Sequence, residues 1–253
     1  MVSIIIPVFN KLEMTRDCID SIRANTEIPY EIIIVDNGSD PMAESKLKDA
    51  DIISMFDISF IRNSENLGFP KAVNQGIAAA NGDIIILLNN DVIVTPEWAS
   101  LLSLSLERCD IVAPVTNYCA GRQQVVLPTY HNEFELNKVA LEWGKKNLGV
   151  LQEVNWVIGF CMAFKKSLFD TLGAFDESLW PCSGEELDWC LRARSKGFKV
   201  AIARDVYLHH FGSQTFMDMQ RDGQLNYAEI CKRNDNHVAK RWGSFWENQL
   251  IEK

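Results

Sequence analysis

The stretch Ile84-Ile85-Ile86-Leu87-Leu88-Asn89-Asn90-Asp91 changes abruptly from aliphatic to polar side chains. Its aliphatic part shows no alternation, which is typical of a strand buried on both faces. Such strands occur in open α/β sheets, where ligands bind at the carboxyl ends of the strands. One carboxylate beside two amides suits a hard divalent cation that also bridges to phosphates. A polar turn uses the same residue types, so this stretch leaves both interpretations open.

The first half of the chain alternates apolar strand patterns with helical patterns. The predicted strands are Val2–Val8, Glu31–Val35, Ile58–Ile61 and Ile84–Leu88, and the predicted helices are Leu12–Asn25, Met42–Asp49 and Lys71–Ala80. This alternation indicates an α/β fold with a mostly parallel sheet and helices on both faces.

The second half is less regular. Strands are predicted at Ile111–Pro114, Trp156–Phe164, Val200–Ala203 and Val206–His209, and helices at Glu133–Asn147, Ser167–Leu172, Glu185–Lys196 and Gln220–Trp242. The sequence has no internal repeat and no clear linker, which favours one continuous domain.

Composition narrows the class of protein. The chain has 253 residues with 47% hydrophobic content, enough for one large α/β core, and its net charge of −9 argues against a broad nucleic-acid surface. Seven cysteines without a CxxC pair favour a reducing cytoplasm. No basic leader and no apolar run of about 20 residues is present. Trp242, Phe245 and Trp246 near Lys240 and Arg241 leave peripheral membrane contact open.

Polar side chains follow several of the predicted strands. Asn10 follows the first strand, Asp36 the second, and Asn89 to Asp91 the fourth. Because parallel strands end at the same edge of a sheet, we expect these residues to converge there. Asp36 is suited to accept hydrogen bonds from a base or ribose, although a turn or a helix cap uses aspartate equally well.

A glycine loop precedes the predicted helix at Lys71. Asn66 and Gly68 lie in this loop, where backbone N–H groups can approach an anion and Lys71 adds positive charge. The P-loop pattern and the GxGxxG fingerprint are both absent from the sequence.

Two further groups of residues are candidates for catalysis or for metal binding. Glu185, Glu186 and Asp188 open a helix, where crowded carboxylates raise one another's pKa and suit a general base, or simply favour the helix dipole. The adjacent His209 and His210 point to opposite faces of a strand, so at most one reaches a given site. A metal or phosphate contact and a structural role both remain open for them.

The order of these motifs resembles family 2 glycosyltransferases over about residues 2 to 215. The motifs that carry the resemblance are Val2–Asn10, Ile34–Ser39, Asn66–Phe69, Leu88–Val92, Gly173–Glu177, Glu185–Asp188 and His209. The resemblance implies a GT-A fold, a Rossmann-like mixed sheet with helices on both faces. It also implies inverting transfer of a sugar from a nucleotide diphosphate to an acceptor hydroxyl.

The resemblance also implies residue roles on the donor side. Pro7, Val8 and Asn10 would line the nucleotide pocket, and Asp36 would face the base. Asn66, Gly68 and Lys71 would lie near the ribose and diphosphate. Asn89, Asn90 and Asp91 fall at the family's Asp-x-Asp motif, so Asp91 would bind Mg²⁺ or Mn²⁺, with His209 or His210 as a further ligand. Asn89 departs from the family because it replaces the first aspartate.

On the acceptor side, the family's catalytic base falls at the acidic pair. Glu186 is the preferred base, although the family usually has aspartate there, and Glu185 is the second choice. Trp156, Gly159, Trp180 and Asp188 would shape the pocket for the sugar and the acceptor.

The resemblance and the composition together define the expected organisation. Residues 1–214 form the GT-A domain, with a nucleotide-binding half at 1–115 and an acceptor half at 116–214, and residues 215–253 form a C-terminal helical extension. The expected donor is a UDP or dTDP hexose or deoxyhexose, used in bacterial polysaccharide or glycoconjugate synthesis in the cytoplasm. A place at the inner membrane face and a homodimer stay open. The alternatives are a sugar-nucleotidyltransferase and a sugar-nucleotide-binding protein without turnover.

Overall fold

The computed structural model describes residues 1–41, 58–212, 220, 221, 223, 225–243 and 245. The helix predicted at Met42–Asp49 lies outside the described residues. Within those residues, no helix is both long enough and apolar enough to cross a membrane.

One mixed sheet runs through the molecule. Its strands are β1 (Val2–Val8), β2 (Tyr30–Asn37), β3 (Ile58–Asn63), β4 (Ile84–Leu88), β5 (Val92–Ile93), β6 (Ile111–Thr116), β7 (Leu151–Val154), β8 (Cys161–Lys165) and β9 (Val200–His210). They are ordered β3-β2-β1-β4-β8-β6-β9-β5, and β7 also pairs with β9. The strands β3, β2, β1 and β4 are mutually parallel, whereas β8 runs antiparallel to both β4 and β6. The sheet is therefore mixed, as the resemblance implied.

Helices cover both faces of this sheet. They are α1 (Leu12–Asn25), α2 (Phe69–Ala79), α3 (Trp98–Ser105), α4 (Glu133–Asn147), α5 (Lys166–Leu172), α6 (Glu185–Ser195) and α7 (Tyr227–Trp242). Ile5 of β1 packs in the same core cluster as Val73 of α2, while Ile4 and Ile6 pack with Ile19 of α1 on the opposite face. Both faces of β1 are thus apolar, which is why its sequence lacks alternation.

The strand predicted at Ile84–Leu88 is confirmed, and its surroundings explain its composition. The strand β4 lies in the sheet between β1 and β8, and Ile85 to Leu88 are all buried. An interior strand with helices on both sides offers no solvent-facing position, so each side chain is aliphatic.

Several predicted elements needed correction in the second half. The strand expected over Trp156–Phe164 begins only at Cys161, because residues 156–160 run as a loop along a cavity. The two strands predicted at Val200–Ala203 and Val206–His209 are one strand, β9, whose pairing with β6 shifts register between Pro114 and Val115. The terminal helix begins at Tyr227, where the side chain of Asn226 caps it.

Two short strands and one α-helix were not predicted. The strands β5 and β7 have only two and four residues, too few to show a period. The helix α3 combines leucines with serines along Trp98–Ser105 and gives no distinct apolar stripe.

The packing of α2 on the sheet generates a prediction about stability. A Cβ atom added at Gly76 would lie 2.3 Å from Ile5 Cγ2, in a core where Ile5 is fully buried. Helix propensity alone favours alanine over glycine by about 1 kcal/mol, whereas overpacking a core costs about 1–3 kcal/mol. We therefore expect Gly76→Ala to lower the free energy of unfolding, measured by urea denaturation. A more stable variant would show that α2 does not contact β1 this closely.

Candidate active site

A cavity of about 640 Å³ opens at the carboxyl ends of β1 and β4. Its wall combines residues from widely separated parts of the chain. They are Pro7, Val8 and Phe9 at the end of β1, Asn89 to Asp91 after β4, Glu185 and Glu186 in α6, His210 at the end of β9, and Tyr227 and Asp235 on α7. The convergence of polar residues at this edge of the sheet, expected from the sequence, is therefore partly realised.

Asp91 and His210 are brought together by the short strand β5. Val92, the residue after Asp91, pairs with His210, and Phe211 N donates to Asp91 O at 3.0 Å. Asp91 Oδ1 lies 3.3 Å from His210 Nε2, and both side chains are more than nine-tenths buried.

The tautomer of His210 follows from its other ring nitrogen. His210 Nδ1 lies 2.8 Å from the backbone carbonyl oxygen of Tyr118, which can only accept, so Nδ1 carries a proton. In the neutral ring Nε2 is then an acceptor that faces the Asp91 carboxylate. Neither Asp91 Oδ1 nor His210 Nε2 has a hydrogen-bond partner. Two buried acceptors in this arrangement call for a cation between them.

His209 points away from this cavity. Its Nδ1 lies 2.6 Å from the hydroxyl of Tyr130, and burial lowers its pKa. Alternation along β9 sends the two histidines to opposite faces, so the expectation of His209 as a metal ligand is corrected.

Asn89 and Asn90, the two residues before Asp91, line the cavity, and their hydrogen bonds stabilise the backbone at the end of β4. Asn89 N donates to Phe160 O at 2.9 Å, and Asn90 Nδ2 donates to Thr15 Oγ1 at 3.0 Å. The second contact joins the end of β4 to α1, which fixes the backbone that presents Asp91.

Glu185 and Glu186 occupy the first turn of α6. Burial raises the pKa of Glu185 well above its ordinary value, and the charge of Glu186 raises it further. Burial also raises the pKa of Glu186, and the carboxylate of Asp235 adds to this effect. Each glutamate has an Oε2 atom that is buried without a hydrogen-bond partner. The pair therefore retains a proton at a pH where an exposed glutamate is ionised.

Gly159 and Trp156 lie in the cavity wall, as the sequence suggested. A Cβ atom at Gly159 would lie 3.4 Å from Glu186 Cβ, an ordinary van der Waals contact, so Gly159 lies directly beside this glutamate. Trp156 and Ile158 border the same space and add apolar surface beside the carboxylates.

The glycine loop before α2 does not have the predicted geometry. The amide of Phe69, the first residue of α2, donates to Pro181 O at 2.7 Å, and Asn66 Oδ1 accepts from Gly68 N at 3.0 Å. Lys71 Nζ lies 3.8 Å from Glu177 Oε2. Of the three predicted residues only Asn66 lines the cavity. The loop joins the two halves of the molecule, and protein groups occupy its anion-binding amides.

Asp36 and Asn10 are also placed differently from the expectation. Asp36 is fully buried, with Oδ1 accepting from Ser39 N at 3.0 Å and Oδ2 bound to the guanidinium of Arg62. Asn10 Oδ1 accepts from Asp40 N at 2.9 Å. Neither residue lines the cavity, and both shape the backbone behind it.

Asp188 and Trp180 serve as packing residues. Asp188 is fully buried, paired with Arg192 Nε at 2.9 Å and accepting from Trp242 Nε1 at 2.9 Å, so it ties α6 to α7. Trp180 lies against Gly68 and is 48% exposed. Neither lines the cavity, which corrects the expectation that they shape the sugar pocket.

The cavity wall includes residues to which the sequence analysis gave no site role, among them Tyr118, Tyr227 and Asp235. Tyr118 follows β6, and the other two lie on α7, which has no short motif. Packing between distant parts of the chain brings these side chains to the cavity. Of the three, only Tyr118 had a sequence signal, because it follows a predicted strand.

Residues 3–173, more than half of the chain, match the family model described as glycosyl transferase family 2. The chain belongs to glycosyl transferase family 2. A relative by sequence is the O-antigen biosynthesis protein RfbC of Myxococcus xanthus, 25% identical over 255 residues that cover 90% of this chain and 19% of RfbC. The curated relatives are longer proteins, and the chain spans 27%, 19% and 65% of the first three.

Solved structures show the same fold as this family 2 glycosyltransferase. The mannosyltransferase PcManGT from Pyrobaculum calidifontis, in complex with GDP-Man and Mn²⁺, matches with a TM-score of 0.62 at 17% identity, over 83% of this chain and 56% of that chain. GalNAc-T7 with UDP, GalNAc and Mn²⁺ matches with a TM-score of 0.66 at 17% identity, over 83% and 43%. The chain therefore has a GT-A-like fold.

The buried acidic pair makes the stability of the protein depend on pH. Between the ordinary glutamate pKa of about 4.3 and the raised folded value, the folded protein binds a proton that the unfolded chain releases. Stability contributed by this group is complete at low pH and falls as pH rises. We expect Glu185→Gln to melt close to wild type at pH 4 and increasingly above it toward pH 8, by calorimetry. The exposed Glu133→Gln is the control, and a pH-independent difference for Glu185→Gln would contradict the burial argument.

Proposed function

We propose that this glycosyltransferase moves a hexosyl or deoxyhexosyl group from a uridine or thymidine diphosphate sugar to an acceptor hydroxyl, with inversion at the anomeric carbon. The observation that carries the proposal is the buried pair of unpartnered acceptors, Asp91 Oδ1 and His210 Nε2, 3.3 Å apart at the cavity wall. A group that fits there is a divalent cation, Mg²⁺ or Mn²⁺.

The donor set suits a cation that completes its coordination elsewhere. Asp91 and His210 would be its protein ligands, and the described residues contain no cluster of three or more His, Cys, Asp or Glu side chains that could hold a metal alone. Water and diphosphate oxygens would supply the remaining ligands. When bound, the ion supplies positive charge to the departing diphosphate. The structures of PcManGT with GDP-Man and Mn²⁺ and of GalNAc-T7 with UDP, GalNAc and Mn²⁺ support this assignment.

The charge of the cavity wall makes donor binding depend on that cation. Four acidic side chains, Asp91, Glu185, Glu186 and Asp235, are part of the wall, and its described residues include no lysine or arginine. A diphosphate would therefore meet no lysine or arginine among the described residues of the wall. Without a divalent ion, the negative charge of the ionised carboxyl groups in the wall repels the diphosphate and disfavours its binding.

Glu186 is the proposed base. Because the coupled pair retains one proton, one glutamate stays neutral and the other is able to accept a proton, and Glu186 falls at the position of the family's base. As the acceptor oxygen bonds to the anomeric carbon, its proton moves to Glu186 and the bond from that carbon to the diphosphate breaks. Attack from the face opposite the diphosphate inverts the configuration.

The acceptor side of the cavity favours a neutral polyol. Trp156 and Tyr227 offer aromatic surface for a sugar ring, and Asp235 and the acidic pair accept hydrogen bonds from hydroxyl groups. The name of RfbC, an O-antigen biosynthesis protein, supports a polysaccharide or glycoconjugate acceptor. Residues 1–115 would bind the donor and residues 116–214 the acceptor, with α7 contributing to the acceptor side.

A donor panel tests the proposal directly. The purified protein is incubated with UDP, dTDP and GDP sugars, with Mn²⁺, Mg²⁺ or EDTA, and release of nucleoside diphosphate is measured with and without glycoside acceptors. We expect release from pyrimidine donors that requires a divalent ion, and product with inverted anomeric configuration by NMR. Release unaffected by EDTA, or a product of retained configuration, would overturn the corresponding part.

The metal assignment predicts a contrast between the adjacent histidines. Asp91→Ala and His210→Ala should each weaken Mn²⁺-dependent UDP binding by at least about tenfold, because each removes one of two protein ligands. His209→Ala is the matched control, since that side chain faces Tyr130 on the other side of β9. Isothermal titration of UDP with Mn²⁺ measures the effect. Equal affinities in His209→Ala and His210→Ala would refute the assignment.

The base assignment predicts a separation of binding from turnover. Glu186→Gln keeps the shape of the side chain but cannot accept the proton, so turnover should fall about 100-fold or more. UDP affinity in the presence of Mn²⁺ should stay near wild type. Steady-state kinetics of Glu186→Gln and Glu185→Gln assign the role, and full activity of Glu186→Gln would transfer it to Glu185.

A further inference from the structure

The C-terminal helix α7 contacts the loop that precedes the acidic pair. Loop 179–184, the segment from Leu179 to Gly184, leads directly into Glu185 at the start of α6. Val238 of α7 is buried in a cluster with Leu179, Leu187 and Leu191. This cluster places one face of α7 against the loop and α6 together.

Asn234 lies at the centre of this contact and is 1% exposed. Its Nδ2 atom lies 2.9, 2.8 and 2.9 Å from the carbonyl oxygens of Leu179, Cys182 and Ser183, respectively. An amide nitrogen has two hydrogens, so three carbonyls share two donors. Asn234 Oδ1 accepts from Arg233 Nε at 3.0 Å, which fixes the orientation of the amide. One side chain thus bonds three carbonyl oxygens of a single loop.

The position of these carbonyls affects the position of Glu185 and Glu186. Ser183 and Gly184 both have positive φ, so the backbone before α6 is held in a conformation that needs support. The loop is fastened on its other side by Phe69 N, which donates to Pro181 O. Removing the Asn234 amide would take this donor from three carbonyls, the last of which, at Ser183, is two residues from Glu185.

The hydrogen bonds of Asn234 therefore bear on catalysis as well as on folding. We propose that Asn234 is a positioning residue, which holds loop 179–184 so that Glu185 and Glu186 face the cavity. In this proposal α7 supports the active site, although α7 lies beyond the residues that match the family model. The kinetic part of the proposal rests on Glu186 as the proposed base, whereas the contact itself does not.

The test compares Asn234 with a second asparagine of the same helix. Asn234→Ala removes the donor, and Asn234→Asp keeps the shape but sets a carboxylate against three carbonyl oxygens. Asn236→Ala is the matched control, because Asn236 is exposed on α7 only two residues away. Circular dichroism and thermal melting establish that each variant is folded.

Hydrogen–deuterium exchange reports the loop without any substrate. We expect peptides that cover residues 180–187 to exchange about tenfold faster in Asn234→Ala, while peptides of β1 and β4 keep wild-type protection. Asn236→Ala should match wild type throughout. Unchanged protection of 180–187 in a folded Asn234→Ala would overturn the proposal. If only Asn234→Asp is folded, its exchange decides the question in the same way.

Kinetics separate a positioning role from a structural one. With the donor identified in the panel, kcat of Asn234→Ala should fall on the order of 10- to 100-fold, while donor KM and the affinity for UDP with Mn²⁺ stay near wild type. A loosened loop with wild-type kcat would overturn the catalytic part. If Glu186→Gln itself keeps full turnover, the base assignment fails, and hydrogen exchange still decides whether Asn234 holds the loop.

Discussion

The antiparallel pairing of β5 with the end of β9 is the constraint on which the site depends. The two residues of β5 follow Asp91 directly, and their register with His209 and His210 sets a carboxylate beside an imidazole. A shift by one residue would replace His210 with His209, which faces the opposite side of the strand. The backbone carbonyl of Tyr118 then fixes the proton on His210 Nδ1. Strand register thus determines which histidine faces the cavity and in which tautomer.

The cavity lies between two halves that are fastened to each other by short contacts. Phe69 N donates to Pro181 O, and Trp180 lies on Gly68, so the loop before α2 is tied to the loop before α6. The side chain of Asn74 in α2 also bonds the backbone of Phe175 as donor and acceptor. Groups that the sequence offered for anion binding are used here for assembly. The acidic wall that remains explains why a cation at Asp91 and His210 is central to the proposed donor site.

Much of the fold could be predicted because buried residues form recognisable apolar patterns in the local sequence. The strands β1, β2 and β4 and the helices α1, α4 and α6 follow from apolar runs and helical spacing. The resemblance to family 2 glycosyltransferases added the GT-A fold and selected Asp91, Glu185 and Glu186 from many polar residues. It could not show that Asp36 pairs with Arg62 or that Asp188 ties α6 to α7, because a motif gives a residue's position and not its partners.

The sequence by itself determined the interior of the sheet and the polar ends of its strands, since side-chain hydrophobicity is a local property. Only the tertiary structure decided which polar residues form one cavity. His210 rather than His209, Tyr118 after β6, and Tyr227, Asn234 and Asp235 on α7 reach their places through strand register and helix packing. These contacts join residues far apart in the chain, and no local pattern encodes them.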